Sequence, residues 1–179
     1  MSIAFKEWAL ICDALARGDQ SIIIRKGGIA EGRDGFRFQH DAFFLFPTVF
    51  HEQVERTTLP PGTPLPVLNP DEITLSLYAK VEWTELVTDW SKVQRLAPFH
   101  IWKEEVVKER FHYDEPAGVH VAFLRVYRLN QPFRFPNAPK YGGCRSWVTI
   151  PDPDPSITWE PVLDDAAHAA RAAALRAVF

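Results

Sequence analysis

Ser21-Ile22-Ile23-Ile24-Arg25-Lys26-Gly27-Gly28-Ile29-Ala30-Glu31-Gly32 is the stretch around which the chain is organised. Three consecutive β-branched isoleucines predict a buried strand, spanning residues 20–25. Arg25 and Lys26 then place two cations at the strand's exit. Gly27-Gly28 permits positive φ and close approach of backbone or ligand. Beyond it, the apolar run from Asp41 to Phe46 predicts a second strand, ended by Pro47 and followed by His51-Glu52-Gln53. These residues describe a globular domain with a cationic turn and leave its reaction open.

Outward from that stretch, Phe5, Trp8, Ile11, Cys12 and Leu15 recur at helical spacing. They predict a helix with Ser2 as N-cap, ended near Arg17 by Gly18 in the left-handed C-terminal position. Further strands are expected over residues 36–39, 73–83, 119–129 and 145–150. Helices are expected over 49–55, over 84–96 with Thr84 as cap, and over 102–111. Five prolines in residues 59–70 make that segment a surface loop. Residues 131–143 read as a Pro/Gly-rich loop. Asp164 caps an Ala-rich helix running to Val178. Strands and helices without regular βαβ alternation give an α+β class: a mixed or antiparallel sheet with flanking helices and an Ala-rich C-terminal helix. Residues 1–150 read as one domain. Residues 151–179 form a Pro-rich turn and a helix that packs on the domain or on a partner.

At 179 residues the chain can bury a substantial core, and its net charge of −3 argues against a uniformly basic surface. Two cysteines make neither a disulfide framework nor a zinc site. No signal-peptide pattern or membrane-length apolar run is present, so a cytoplasmic protein without membrane association is expected. No residues have the spacing of a metal or cofactor site, so no metal or cofactor is expected. Every lysine lacks the acidic residue two positions earlier that a nuclease of the Pro-Asp…(Asp/Glu)-x-Lys kind requires. Asp152 and Asp154 alternate with prolines and read as a rigid turn.

The strongest chemical signal is charge asymmetry. Residues 117–151 contain no Asp or Glu, yet they hold Arg125, Arg128, Arg134, Lys140 and Arg145 among aromatic rings. Cations displace counterions from phosphates, and rings stack on unpaired bases. The expected nucleic-acid face is Arg25, Lys26, Arg125, Arg128, Tyr141, Arg145 and Trp147, with Arg33 and Arg37 as extensions and DNA or RNA as the partner. An enzyme is the alternative. There His51 and Glu52 would form an acid–base pair, with His100 as a third catalytic candidate and Cys144 converging on them in a pocket beside Lys26, hydrolysing a modified nucleoside or another small molecule. A third reading is partner docking or oligomerisation through the C-terminal helix.

Several motifs occur in order: Arg25-Lys26-Gly27-Gly28-Ile29-Ala30-Glu31-Gly32, Phe46-Pro47-Thr48-Val49-Phe50-His51-Glu52, His100-Ile101-Trp102, Arg110-Phe111, Leu124-Arg125-Val126-Tyr127-Arg128-Leu129 and Tyr141-Gly142-Gly143-Cys144-Arg145-Ser146-Trp147-Val148. Together they resemble the bacterial "domain of unknown function 1802" family over residues 3–150. That family is associated with an Mrr-type restriction-endonuclease domain. The resemblance therefore implies an accessory role in restriction–modification, with a restriction-system protein as partner and no cleavage by this chain. A weaker likeness rests on Trp8 and Gly18-Asp19-Gln20-Ser21-Ile22-Ile23-Ile24-Arg25. These resemble the opening of PUA-like and ASCH domains, small β-barrels that bind RNA or modified bases, and so imply a barrel. The lysine of that opening is Asp19 here, and its strand glutamate is Ile23.

Overall fold

In a computed structural model, residues 1–26 and 38–179 are described. The elements are β1 (Ser2–Trp8), α1 (Ala9–Arg17), β2 (Ile22–Arg25), β3 (Ala42–Thr48), β4 (Glu72–Val87), α2 (Trp90–Arg95), α3 (Glu104–Phe111), β5 (Val119–Pro136), β6 (Trp147–Ile150), β7 (Trp159–Pro161) and α4 (Asp165–Arg176). The strands form one sheet in the order β2-β5-β4-β3-β1-β6, with β7 also paired to β5. Its spine is the long antiparallel pair β4–β5. The β1–β3 pair is parallel and the others are antiparallel, so the sheet is mixed. Among the described residues it is not closed: β2 and β6 stand at its two ends, and the barrel implied by the PUA-like likeness is not formed by these strands.

Alternation along the strands builds two apolar clusters. In β3, Phe43 and Leu45 join the larger cluster with Phe5, while Phe44 and Phe46 join the second with Ala4. This is the two-residue period of a strand covered on both faces. Ile22, Ile23 and Ile24 are all fully buried, so β2 is also covered on both faces, as its uninterrupted β-branched run requires. The helices seal the larger cluster through Leu15 of α1, Val107 and Phe111 of α3, and Leu175 of α4.

Several boundaries differ from the sequence expectation. Residues 2–8 form a strand, and the helix begins only at Ala9. Hydrogen-bonded ladders to β3 and β6 on both edges of β1 override the helical spacing of Phe5 and Trp8. Gly18 does close α1, at φ +75°. Likewise β4 continues through Thr84 to Val87. Asp89, accepting from the Ser91 backbone N–H at 2.9 Å, caps the short α2 instead. The expected loop after residue 129 is strand as far as Pro136, because Phe133 and Phe135 pair with Leu75 and Ile73. Residues 51–56 form turns rather than a helix. Gly27-Gly28, Arg33 and Arg37 lie outside the described residues, as do the first two positions of the strand expected over 36–39; residues 38–39 are not in a strand.

The C-terminal helix is capped as expected, with the Asp164 carboxylate accepting from the Ala167 N–H at 2.7 Å. Arg125 pairs with Asp165 at 2.7 Å, and Arg171 donates to the carbonyls of Gly18 and Asp19. His168 Nε2 meets Glu82 at 2.8 Å. These contacts hold α4 against β4, β5 and the end of α1. Among the described residues no helix is long and apolar enough to cross a membrane.

Candidate functional site

A cleft of about 1200 Å³ runs between α1, the C-terminal end of β3, the start of β4 and the segment around Tyr141. Strand pairing assembles it from distant parts of the sequence. Lys6 points out of β1 on the same face as Phe46 of β3, its register partner, with Nζ 5.9 Å from the Phe46 ring centre. Arg128 and Arg134 come from β5. Their partners on β4, Leu77 and Thr74, are three residues apart, which places the two arginines about 10 Å apart along the sheet. The intervening 129–132 segment bulges away, opposed only by Ser76. Polar groups from Thr48, Asn69, Asn137 and Tyr141 also line the cleft, over an apolar floor that includes Phe46, Ile73 and Leu77.

Lys6 and Arg128 are held by backbone carbonyls and not by carboxylates. Lys6 donates to the Gly143 carbonyl at 3.0 Å, and burial, then the nearby charge of Arg145, lower its pKa. Arg128 donates to the Ala16 carbonyl at 2.7 Å, at the negative end of the α1 dipole. Arg134 faces Glu72 at 3.8 Å, a long and exposed pair that counts for little. Lys140 lies over the Tyr141 ring at 5.0 Å. Asp13, Asp71 and Glu72 are the carboxylates of the cleft wall. The three lining cations equal those three acids in number, and Lys140 and Arg145 stand beside them.

The residues singled out from sequence fall into three places. Arg128 and Tyr141 line the cleft, and Arg145 is close enough to Lys6 to shift its pKa. Arg125 is committed to Asp165, and Lys26 donates to the carbonyls of Asp114 and Pro116. Arg25 and Trp147 pack around Phe5, with the guanidinium 4.9 Å and the indole 4.7 Å from its ring centre. His51 is exposed and sits 3.6 Å from Glu52. His100 is buried, 5.5 Å from the Trp102 ring. Cys144 is exposed. Among the described residues no group of three or more His, Cys, Asp or Glu side chains could hold a metal ion.

A second polar cluster lies inside the molecule. Glu7 has no exposed surface, and its Oε2 is 3.3 Å from Arg25. Arg110 of α3 reaches in beside them, donates to the Ile24 carbonyl at 3.0 Å, and lies against the rings of Trp8 and Trp102. Burial, then the charge of Arg25, lower the Arg110 pKa to about 9. Burial, then Arg110, lower the His100 pKa to about 4, so this imidazole is neutral. Among the described residues, Glu7 Oε2, Arg25 Nε, His100 Nδ1, Trp102 Nε1 and Trp147 Nε1 are buried without a hydrogen-bond partner. Glu7, Arg25, His100 and Trp102 belong to this cluster, and Trp147 adjoins it through the Phe5 ring.

Sequence reasoning did not single out Lys6, Glu7 or Arg110 as site residues. Lys6 and Glu7 are adjacent in β1 and point to opposite faces, a signal present only once the segment is known to be a strand.

A family model described as "Domain of unknown function (DUF1802)" matches residues 4–174. No curated protein matches the chain. The crystal structure of ASCH from Zymomonas mobilis is similar at 12% identity and a TM-score of 0.45, covering 96% of this chain and 93% of that one. A mutant of that protein gives 13% identity and a TM-score of 0.46, covering 97% and 94%.

Proposed function

Because this chain belongs to the DUF1802 family, whose description assigns no activity, we propose from its own geometry that it binds a short segment of single-stranded nucleic acid in the cleft. The observation that carries this is the convergence of Lys6, Arg128 and Arg134 along a groove with an apolar floor. Its volume of about 1200 Å³ exceeds the roughly 300–1,000 Å³ of ordinary small-molecule pockets, which favours an extended ligand. A groove admits unpaired bases to its floor while cations on its walls follow the backbone. A duplex, whose bases are already stacked and paired, gains little from such a floor.

The test is fluorescence-anisotropy titration of labelled single-stranded RNA, single-stranded DNA and duplex DNA across a salt series. Three phosphate contacts predict a log–log salt slope of about −2 for a single strand. Lys6→Ala and Arg134→Ala should each flatten that slope by about 0.7. Absence of binding at low salt, or binding that both variants retain unchanged, overturns the reading.

A second reading, a small-molecule hydrolase, moves to the buried cluster, which of the expected residues His51, Glu52, His100 and Cys144 holds only His100. Its supporting observation is that buried polar atoms of Glu7, Arg25, His100 and Trp102 have no hydrogen-bond partner among the described residues. A thermal-shift screen against modified nucleosides and small amides should then find compounds that raise the melting temperature of the wild type and not of His100→Gln. A screen with no such compound ends this reading.

A further inference from the structure

The cations of the cleft are unevenly supplied with counter-charge. Arg134 has Glu72 at 3.8 Å, with Asp71 next to it in sequence. Arg128 reaches the last turn of α1, where Asp13 is one turn back from the acceptor Ala16. Lys6 has no such company. Its backbone N–H donates to the Ser146 carbonyl at 2.8 Å and its Nζ to the Gly143 carbonyl at 3.0 Å, so its side chain lies along residues 143–146. Arg145 is part of that segment. It is exposed and, among the described residues, makes no ion pair. Among the same residues no carboxylate acts on Lys6: burial and then Arg145 lower its pKa, and only the Cys144 thiol opposes them. The surrounding sequence supplies none, because residues 117–151 contain no Asp or Glu.

Two cations held near each other without a counter-charge repel, and an anion between them relieves the repulsion. The turn that brings them together leaves room for one. Gly142 and Gly143 are exposed, Gly143 has a φ of +78°, and a Cβ at Gly143 would meet nothing within 4 Å. Gly142 and Tyr141 line the cleft, so the turn borders the groove. A phosphodiester inside a strand carries one negative charge. A phosphate monoester carries about −1.5 to −2 at neutral pH and presents three acceptor oxygens. Lysine meets such a group as a point charge, and arginine meets it with two parallel N–H donors. An acid-free pair at the Gly142-Gly143 turn, and a cation shared with acids at Arg134, therefore suit a strand whose charge is greatest at one end.

We propose that Lys6 and Arg145, at the Gly142-Gly143 turn, form a subsite for a terminal phosphate monoester, and that the cleft takes a single strand by its phosphorylated end. This rests on the single-strand reading of the cleft. It gives the bound strand a direction, beyond general affinity for the backbone.

The experiment is anisotropy with seven-nucleotide oligomers of uridine or thymidine, labelled on an internal base so that both ends are free. Each is made with two hydroxyl ends, with a 5′-phosphate or with a 3′-phosphate. One phosphorylated form should bind the wild type about tenfold more tightly than the form with two hydroxyl ends, as for one charge-assisted contact, and which form does so identifies the end. Arg145→Ala should cut that preference to about twofold or less, whereas Arg134→Ala should weaken all three forms alike and keep it. Because Arg145 is exposed, the thermal melt of Arg145→Ala should match that of the wild type, which separates recognition from folding. Binding with no preference for either phosphate, or a preference that survives in Arg145→Ala, overturns this inference and leaves the cleft reading standing. Uridine monophosphate that displaces the phosphorylated oligomer as readily as unlabelled oligomer does also overturns it, because the subsite then takes free nucleotides. Failure of every oligomer to bind the wild type at low salt overturns both.

Discussion

At the scale of single residues, the interior of the domain is held by charges that depend on one another. Glu7 is fully buried between Arg25 and Arg110, and it is the one carboxylate named among the electrostatic neighbours of Arg110 that has no solvent exposure. Glu7→Gln keeps the shape and the acceptor for the Trp8 N–H but removes the counter-charge of two partly buried guanidiniums. Breaking a buried pair from one side typically costs about 3–5 kcal/mol, so a urea titration should show a loss near the lower end of that range. His100 gives a prediction with a definite pH window. Its pKa is about 4 in the folded chain, against about 6.5 for an unfolded histidine. Between those values the unfolded chain binds a proton that the folded chain refuses, so stability falls as pH drops from 6.5 towards 4 and this contribution levels off below 4. The shift corresponds to about 3 kcal/mol. His100→Gln should remove that share of the pH dependence, measured as the difference between the two proteins' unfolding free energies at pH 7.5 and pH 4. Parallel curves for the two proteins would contradict the assignment. His100 was legible in the sequence as a residue of interest; its charged surroundings were not, because they depend on α3 bringing Arg110 near it and over the adjacent Trp102 ring.

At the scale of elements, the join between β1 and α1 shows why a periodic pattern can mislead. Phe5 and Trp8 belong to the strand, and Ile11, Cys12 and Leu15 to the helix, yet the five residues fit one helical stripe. Nothing local marks the change at Ala9; the ladder to β3 does. The β2 strand was readable because three β-branched residues in a row have few alternatives. Asp164 was readable because its cap is local, as was Gly18. The cleft was partly readable: Arg128 and Tyr141 stand in the acid-free segment, but Lys6 joins them only through the β1–β3 pairing. Gly18 offers a direct check of the α1 terminus. Its φ is +75°, and a Cβ there would lie 2.6 Å from Leu163 Cδ2. Gly18→Ala should cost about 1–2 kcal/mol, the backbone penalty of about 1 plus displacement of Leu163. Thermal unfolding would show this as a lower midpoint. An unchanged midpoint would mean that the turn at the end of α1 relaxes without strain.

At the scale of the whole molecule, the central question is whether residues 151–179 fold with the sheet or only rest upon it. Leu175 is fully buried, and it shares one apolar cluster with Phe5, Ile23 and Phe123. The helix also holds the C-terminal end of α1 through Arg171 and the side of β5 through Arg125 and Asp165. A helix bound by a continuous core unfolds together with that core, whereas a helix bound only at its surface frays alone. Leu175→Ala should therefore destabilise the whole chain by about 2–5 kcal/mol, the range for deleting a buried leucine side chain. Native-state amide exchange locates the loss. If the chain is one cooperative unit, the most protected amides of β1 and β5, far from position 175 in sequence, should lose protection by the same free energy as those of α4. Loss confined to α4, with β1 and β5 unchanged, would show that residues 1–150 stand on their own. In that case α4 would be free to leave the sheet and would uncover Phe123, the ring on which His168 stacks at 4.9 Å.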